Sequence, residues 1–292
     1  MIKKGIILAG GMGTRMSPLT KSVNKQLLPI YDKPLIFYPL SILMLSNIKD
    51  ILIIVNKGDL EQYKKILPNG NNLGIKITYA EQSKPRGLPD AFIIGEKFIS
   101  NQNVALILGD NFFYGQNLTK SLVNCSRLKY GAKILIHKVL NPQLFGVAKI
   151  NAKNKILKII EKPKKFISDY AITGLYFFDK NVSKYSKMLK PSERGELEIV
   201  DLINIYKNKN ELSADFIGRG GAWLDTGSIE DFYKTSAFVQ AIENRQGLKI
   251  ACLEEIAFNK KWIDKKKIFK QIKFYGKCEY SNYLKRLTIK KK

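Results

Sequence analysis

The chain has 292 residues, of which 45% are apolar and 26% charged, enough for one large domain or one and a half with a packed core. The formal charge is +25, from 50 lysines and arginines against 25 acidic residues. No run reaches the roughly 18 apolar residues of a membrane span, since the longest, LIFYPLSILML, is broken by Pro39 and Ser41. The N-terminal run Gly5–Ala9 behind Lys3 and Lys4 is shorter than the roughly 7–15 residues of a secretory h-region. Cys125, Cys252 and Cys278 are odd in number and widely spaced, forming neither a disulfide framework nor a zinc pattern. The cytoplasm is the expected compartment. The lysines are spread out, apart from KKK at 265–267 and at the C-terminal end, and no RNA-recognition, zinc-finger or basic-zipper pattern accompanies them. No specific nucleic acid and no membrane are therefore expected as partners. Only seven basic residues are arginines, the side chain that grips phosphate with two prongs.

In chain order, Gly5–Ala9 reads as a buried strand, 34–47 as a helix and Ile51–Val55 as a second buried strand. A helix over 59–67, a strand over 75–80, a helix over 90–98 and the strand Val104–Leu108 follow. Strands that are apolar throughout, alternating with helices, predict a parallel sheet covered on both faces. After Gly131 strands at 132–139, 146–150, 156–160 and 171–178 come closer together, so the sheet becomes mixed. Helical patterns return at 198–207 and 228–244, and the tail from Glu254 reads as small helices packed on the body or on another subunit. The expected organisation is an α/β core over 1–245 and a helical extension over 246–292.

The first strand runs into LAGGMGTR, where an open α/β sheet binds ligands, beyond the carboxyl end of a strand. Gly11 and Gly13 begin a dinucleotide fingerprint, but Met16 stands where its third glycine belongs, and no Walker string occurs. What remains is a glycine turn whose amides can approach phosphate, with Arg15 and, in NKQLLPIYDKP, Lys25 adding two positive charges. An ordinary strand-to-helix turn is the alternative.

LAGGMGTR, NKQLLPIYDKPLIFYPLS, LILGDNFFYG, EKP, YAITGLYFFD, KPSERGELEIVDL, GRGGAWLDTGS and ENRQGLKIACLEEIA, in this order from Lys3 to about Leu287, resemble the glucose-1-phosphate thymidylyltransferases. GG-x-GTR alone marks the broader sugar-nucleotidyltransferase superfamily; the ordered combination is much more specific. The resemblance implies a Rossmann-like nucleotidyltransferase fold, an α/β architecture with a mixed, mostly parallel sheet and helices on both faces. It implies transfer of a thymidylyl group from dTTP to glucose 1-phosphate, the first step toward dTDP-rhamnose and related deoxysugars, with one catalytic Mg²⁺ per subunit in a homotetramer.

The attacking group in such a reaction is a phosphate oxygen, already anionic, so no general base or covalent nucleophile is required. His137, in the strand pattern KILIHKV, reads as structural. Two unit charges 4 Å apart repel by about 4 kcal/mol at an effective dielectric of 20. Catalysis is then mainly positioning and charge neutralisation. The resemblance assigns catalysis to Arg15, Lys25, Asp110 and Lys162. It places the nucleotide on Leu8, Gly10, Gly11, Gly13, Thr14, Arg15, Lys25, Gln82, Pro85 and Gly87. It places the sugar phosphate on Leu88, Asn111, Gly146, Glu161, Lys162, Thr173, Tyr176, Arg194 and Trp223. Asp110 and Asp225, each read at a strand end, are the implied magnesium ligands; a helix cap or a turn is the other role such aspartates take. Glu161-Lys162-Pro163 reads equally as a surface ion pair. Tyr114, Gly115, Arg219, Lys249 and Glu255 are candidates for a second, inhibitory nucleotide site between subunits.

Two departures stand out. Met12 replaces the more usual small polar residue. After Gly87-Leu88 the family continues Ala-Gln-Ala, whereas here Pro89-Asp90-Ala91 follows. Pro89 suits a helix start and Asp90 its first turn, but a carboxylate near a triphosphate must point away or weaken binding. These departures leave open UTP or another hexose phosphate as substrate, and a weakened nucleotide-binding protein.

Overall fold

Lys4–Ala9 forms β1, whose side chains alternate between two cores: Ile6 joins one apolar cluster and Ile7 the other. This chain of 292 residues is described over residues 1–289 by a computed structural model. A short hairpin, β2 (Pro29–Ile30) and β3 (Lys33–Pro34), precedes α1 (Phe37–Leu45), which is apolar all round and buried. Next come β4 (Asp50–Asn56), α2 (Leu60–Ile66) and β5 (Lys76–Gln82). The helix expected over 90–98 is two short helices, α3 (Asp90–Ile94) and α4 (Glu96–Ile99), broken at Gly95. A Cβ at Gly95 would stand 3.0 Å from Ile6 Cδ1, so glycine there lets the chain lie close on β1.

Then β6 (Val104–Leu108), β7 (Asn111–Tyr114), α5 (Leu118–Ser126), β8 (Ala132–Lys138), β9 (Gly146–Ile150), β10 (Ile156–Glu161) and β11 (Tyr170–Phe178) follow. Next are α6 (Val182–Met188), α7 (Ile199–Asn208), β12 (Leu212–Phe216), β13 (Ala222–Asp225) and α8 (Ile229–Gln246). The helix α8 is bounded by local chemistry: Ser228 caps its start by accepting from the Asp231 amide, and Gly247 at φ +66° ends it. The chain ends in α9 (Leu253–Asn259), α10 (Lys265–Tyr275) and α11 (Glu279–Ile289).

Nine strands make one sheet in the order β10-β9-β11-β6-β1-β4-β5, with β8 also on β11 and β12 on β8. The pairs β1–β4, β1–β6, β4–β5 and β8–β12 are parallel; β11 runs against β6, β8 and β9, and β10 against β9. All strands but β10 and β11 therefore point one way, which is the mixed, mostly parallel sheet the sequence predicts. One face is covered by α1, α5 and the tail helices, with Leu253, Ala257, Ile268 and Leu284 inside that core. The other carries α3, α6 and α7. Helices of the tail pack on the body over the described residues; the last three lysines of the extension read over 246–292, residues 290–292, lie outside them. Among the described residues no helix is long and apolar enough to cross a membrane.

The connections that matter most for a site leave the main sheet. β7 pairs antiparallel with β13 as a separate ribbon, Asp225 opposite Asn111. This ribbon follows directly on the end of β6: Asp225 ends β13, and Asp110 immediately precedes β7.

Candidate active site

After β1 the backbone turns through Gly11 (φ +107°) and Gly13 (φ +57°), a conformation glycine adopts without strain. Asn56, at the end of β4, fixes this turn by accepting from the Gly11 amide at 2.9 Å and donating to the Gly11 carbonyl at 3.1 Å. Asp59 accepts from both Asn56 (3.1 Å) and Asn24 (2.7 Å), and Tyr63 donates to Asn24 at 2.8 Å. Asn24 also caps the one-turn helix that carries Lys25, accepting from the Gln26 amide. One polar network therefore sets both the glycine turn and the position of Lys25. None of Asn24, Asn56, Asp59 or Tyr63 was singled out by the sequence, because each acts on a neighbour distant in the chain.

Lys25, 7% exposed, forms a 2.6 Å ion pair with Asp110. Asp110 lies in the Gly109-Asp110 turn between β6 and β7 rather than within a strand, and Leu8 holds that turn by accepting the Gly109 amide at 2.9 Å. Burial works against the Asp110 carboxylate, but the Lys25 charge and hydrogen bonds from Lys25 and Asn111 outweigh it and hold the carboxyl below its ordinary range. Asp225 is the final residue of β13. Burial and the facing Asp110 charge push its carboxyl up to about 6, against the pull of Lys25 and Arg15. The Thr226 amide and hydroxyl both donate to the Asp110 carbonyl, at 3.1 and 2.8 Å, locking the two carboxylate-bearing turns together. Gly227 leaves room for the Arg15 guanidinium beside Asp225: a Cβ there would be 3.2 Å from each.

Two cavities meet at Arg15 and Asp110. The first, about 200 Å³, is walled by Gly10, Gly11, Gly13, Thr14, Lys25 and Gln26. The second, about 260 Å³, takes in Leu88, Asn111, Gly146, Glu161, Tyr176 and Trp223, with Lys162 and Asp225 at its edge. Lys162 has φ +40°, a strained conformation for a non-glycine residue, and its amide donates to the Phe145 carbonyl at 3.0 Å. Asn111 is held by three partners: Oδ1 accepts from the Gly174 amide (3.0 Å) and Trp223 Nε1 (2.6 Å), while Nδ2 donates to Asp110 (3.1 Å). Burial raises the Glu161 carboxyl, with Lys162 pulling it down and Glu198 pushing it up. Arg194 grips Glu198 with Nε and Nη2 at 3.2 and 2.7 Å and reaches Glu161 at 3.8 Å.

Some expected residues stand elsewhere. Thr173 is fully buried and donates to the Leu135 carbonyl at 3.0 Å, so it faces β8; Ile172 and Gly174 line the cavity on either side of it. Leu8, Gln82, Pro85 and Gly87 line neither cavity, Leu8 serving through its backbone and Pro85 lying exposed. Gln82 is buried beside Gly10, and Gly87 packs so tightly that a Cβ would be 2.1 Å from the Leu197 carbonyl. His137 engages the Ile217 carbonyl through Nδ1 at 3.1 Å, away from both cavities. Gln26 was missed: it is 3% exposed and its Oε1 has no partner among the described residues. Its place directly after Lys25 in the same turn is the signal that could have found it. Of the second-site candidates, Tyr114, Gly115 and Arg219 share a cavity of about 160 Å³, whereas Lys249 lies in another and Glu255 accepts from Tyr283 at 2.6 Å.

A glycine turn beside cations and paired carboxylates therefore stands at the end of a parallel sheet. The nucleotidyl transferase family model matches residues 4–242. A glucose-1-phosphate thymidylyltransferase of Neisseria meningitidis is 50% identical over 98% of this chain and all of its own length. One from Mycobacterium tuberculosis is 43% identical over 96% of this chain and 97% of its own. A Bacillus anthracis protein assigned to the same activity and solved with a bound sucrose superposes with TM-score 0.75 at 40% identity, over 80% of this chain and 94% of that one. A UDP-glucose pyrophosphorylase solved with UDP-glucose gives 0.72 at 26% identity, over 84% of this chain and 100% of its own. The chain belongs to the nucleotidyl transferase family and, within it, to the glucose-1-phosphate thymidylyltransferases.

Proposed function

We infer that the chain transfers the thymidylyl group of dTTP to glucose 1-phosphate, giving dTDP-glucose and diphosphate. The reading rests on one observation above the rest: Arg15 and Asp110 border both cavities, with Lys25, paired to Asp110, in the smaller and Lys162 in the larger. The glycine-turn cavity takes the triphosphate and the larger one the sugar phosphate. A phosphate oxygen of the sugar forms the new bond to the α-phosphorus, and the bond from that phosphorus to the β-bridging oxygen breaks, releasing diphosphate. The protein has little covalent work to do. Arg15 and Lys25 neutralise the departing diphosphate. Lys162 and Arg194 hold the incoming phosphate, Arg194 exchanging part of its grip on Glu198 for it. Glu161, with Gly146, Tyr176 and Trp223, surrounds the sugar. Gln26 offers an acceptor that a ligand hydroxyl or N–H would satisfy.

Asp110 and Asp225 fit magnesium: two neighbouring carboxylates, one pushed up by the other's charge, form a donor set that a small divalent cation relieves, and magnesium takes one or two carboxylates plus substrate phosphate. When bound there, magnesium would supply charge neutralisation between the two polyanions. Among the described residues no group of three or more metal-ligating side chains competes for it. The proposal extends to a homotetramer acting early in deoxysugar synthesis in the cytoplasm. Purified protein with magnesium, glucose 1-phosphate and each nucleoside triphosphate tests the reading by diphosphate release. The highest kcat/KM belongs to dTTP; a larger value with UTP, or binding of dTTP without turnover, overturns it.

A further inference from the structure

The departure at Asp90 has a structural use. Asp90 begins α3, is 1% exposed, and both its carboxylate oxygens are committed. Oδ1 accepts from Arg86 Nη2 at 2.7 Å, and Oδ2 accepts from Gln82 Nε2 at 3.0 Å. A carboxylate paired with arginine can only accept, so it forces the NH₂ end of the Gln82 amide toward itself. The carbonyl end must then face the other way. Gln82 Oε1 lies toward the glycine turn, 2.7 Å from where a Cβ on Gly10 would stand, and accepts no hydrogen bond among the described residues. Without a one-way partner, a glutamine amide can rotate by half a turn and present either end.

We propose that Asp90, held by Arg86, is a positioning residue for base selection: it fixes Gln82 so that an acceptor faces the base. This rests on the reading that the nucleotide occupies the cavity beside Gly10. An acceptor there needs a donor opposite it. The N3–H of a thymine or uracil ring provides one, while cytosine presents a bare N3 lone pair at the same place. The device therefore selects imide bases over cytosine and leaves thymine against uracil to other contacts. It also accounts for a carboxylate near a triphosphate: the charge is turned away and matched by Arg86, which is 63% exposed and costs little to place.

The test compares kcat/KM for dTTP and dCTP, at saturating glucose 1-phosphate, in the wild type and in Asp90→Asn, Arg86→Gln and Gln82→Leu. Asparagine at 90 can donate as well as accept, so the Gln82 amide is free to invert. The dTTP-to-dCTP ratio then falls roughly tenfold, the value of about one hydrogen bond, through KM for dTTP more than through kcat. Arg86→Gln, at an exposed position, gives a smaller fall in the same ratio and decides the matter if Asp90→Asn does not fold. An equal loss for both nucleotides, or an unchanged ratio in the folded variants, overturns the proposal. If Gln82→Leu lowers the ratio while the Asp90 and Arg86 variants do not, the positioning role alone is wrong. If Gln82→Leu also leaves it unchanged, the base does not lie against Gln82 and the nucleotide placement falls with it.

Discussion

Asp225 carries an electrostatic conflict at the heart of the candidate site. Its carboxyl is pushed from 3.8 up to about 6 by burial and by Asp110, so in the metal-free protein its charge is a burden to the fold. A carboxyl raised on folding binds its proton more tightly folded than unfolded. Stability is therefore lost as pH rises from about 4 through about 6 and stays lower above that. A shift of this size is worth about 3 kcal/mol. In EDTA, Asp225→Asn should be more stable than the wild type by about that amount at pH 7.5 in urea unfolding, with the difference vanishing near pH 4, while activity with magnesium is lost. A destabilised Asn variant at pH 7.5 would mean that Asp225 is satisfied by the protein itself. The residue types of the site were legible: Arg15, Lys25, Asp110, Lys162 and Asp225 all border the two cavities. Thr173 was not, because a threonine in an apolar strand has the same local signature whether its hydroxyl faces a ligand or a backbone carbonyl across the sheet.

Among the elements, β11 shows how a strand is bent to serve a site. Its pairing with β8 is interrupted between Ile172 and Tyr176, and the Gly174 amide leaves the ladder to bind Asn111. A Cβ at 174 would stand 2.4 Å from Asn111 Oδ1, the atom that also takes the Trp223 indole. Gly174→Ala should cost about 1–3 kcal/mol by overpacking and should lower activity by displacing Asn111 and with it Asp110. Gly218→Ala, with open space around it and no positive φ, serves as the control and should unfold at the wild-type denaturant midpoint. Equal midpoints for both variants would refute the packing argument. The strands β1, β4 and β6 were legible because both faces are buried and their apolar runs are continuous. The ribbon β7–β13 was only half visible: GGAWLD reads as a strand, but its partner follows β6 after a single turn and hides in the same apolar run.

For the whole molecule, the tail is part of the main core rather than an appendage. Leu253, Ile268 and Leu284 are almost fully buried against the face formed by α1 and the sheet. Fully burying such a side chain contributes about 1.5–3 kcal/mol each, comparable in sum to the roughly 5–15 kcal/mol that holds a domain together. A chain ending at Gln246 should therefore fail to give a cooperative thermal transition by circular dichroism and should bind a hydrophobic dye. A monomeric, cooperatively folding truncation would show that the core over 1–245 stands alone.

By itself the sequence determined the alternating strand–helix order, the glycine turn after β1 and the cations and carboxylates that surround it. These depend on neighbours within a few residues, where backbone sterics and hydrophobic periodicity act directly. Only the tertiary structure decided which way each polar side chain turns. Asn56 clasps Gly11, Lys25 meets Asp110 and Asp90 turns Gln82, across separations of 45, 85 and 8 residues. A buried polar group must find whichever partner the fold brings to it, and that partner is set by strand order, which no local pattern contains.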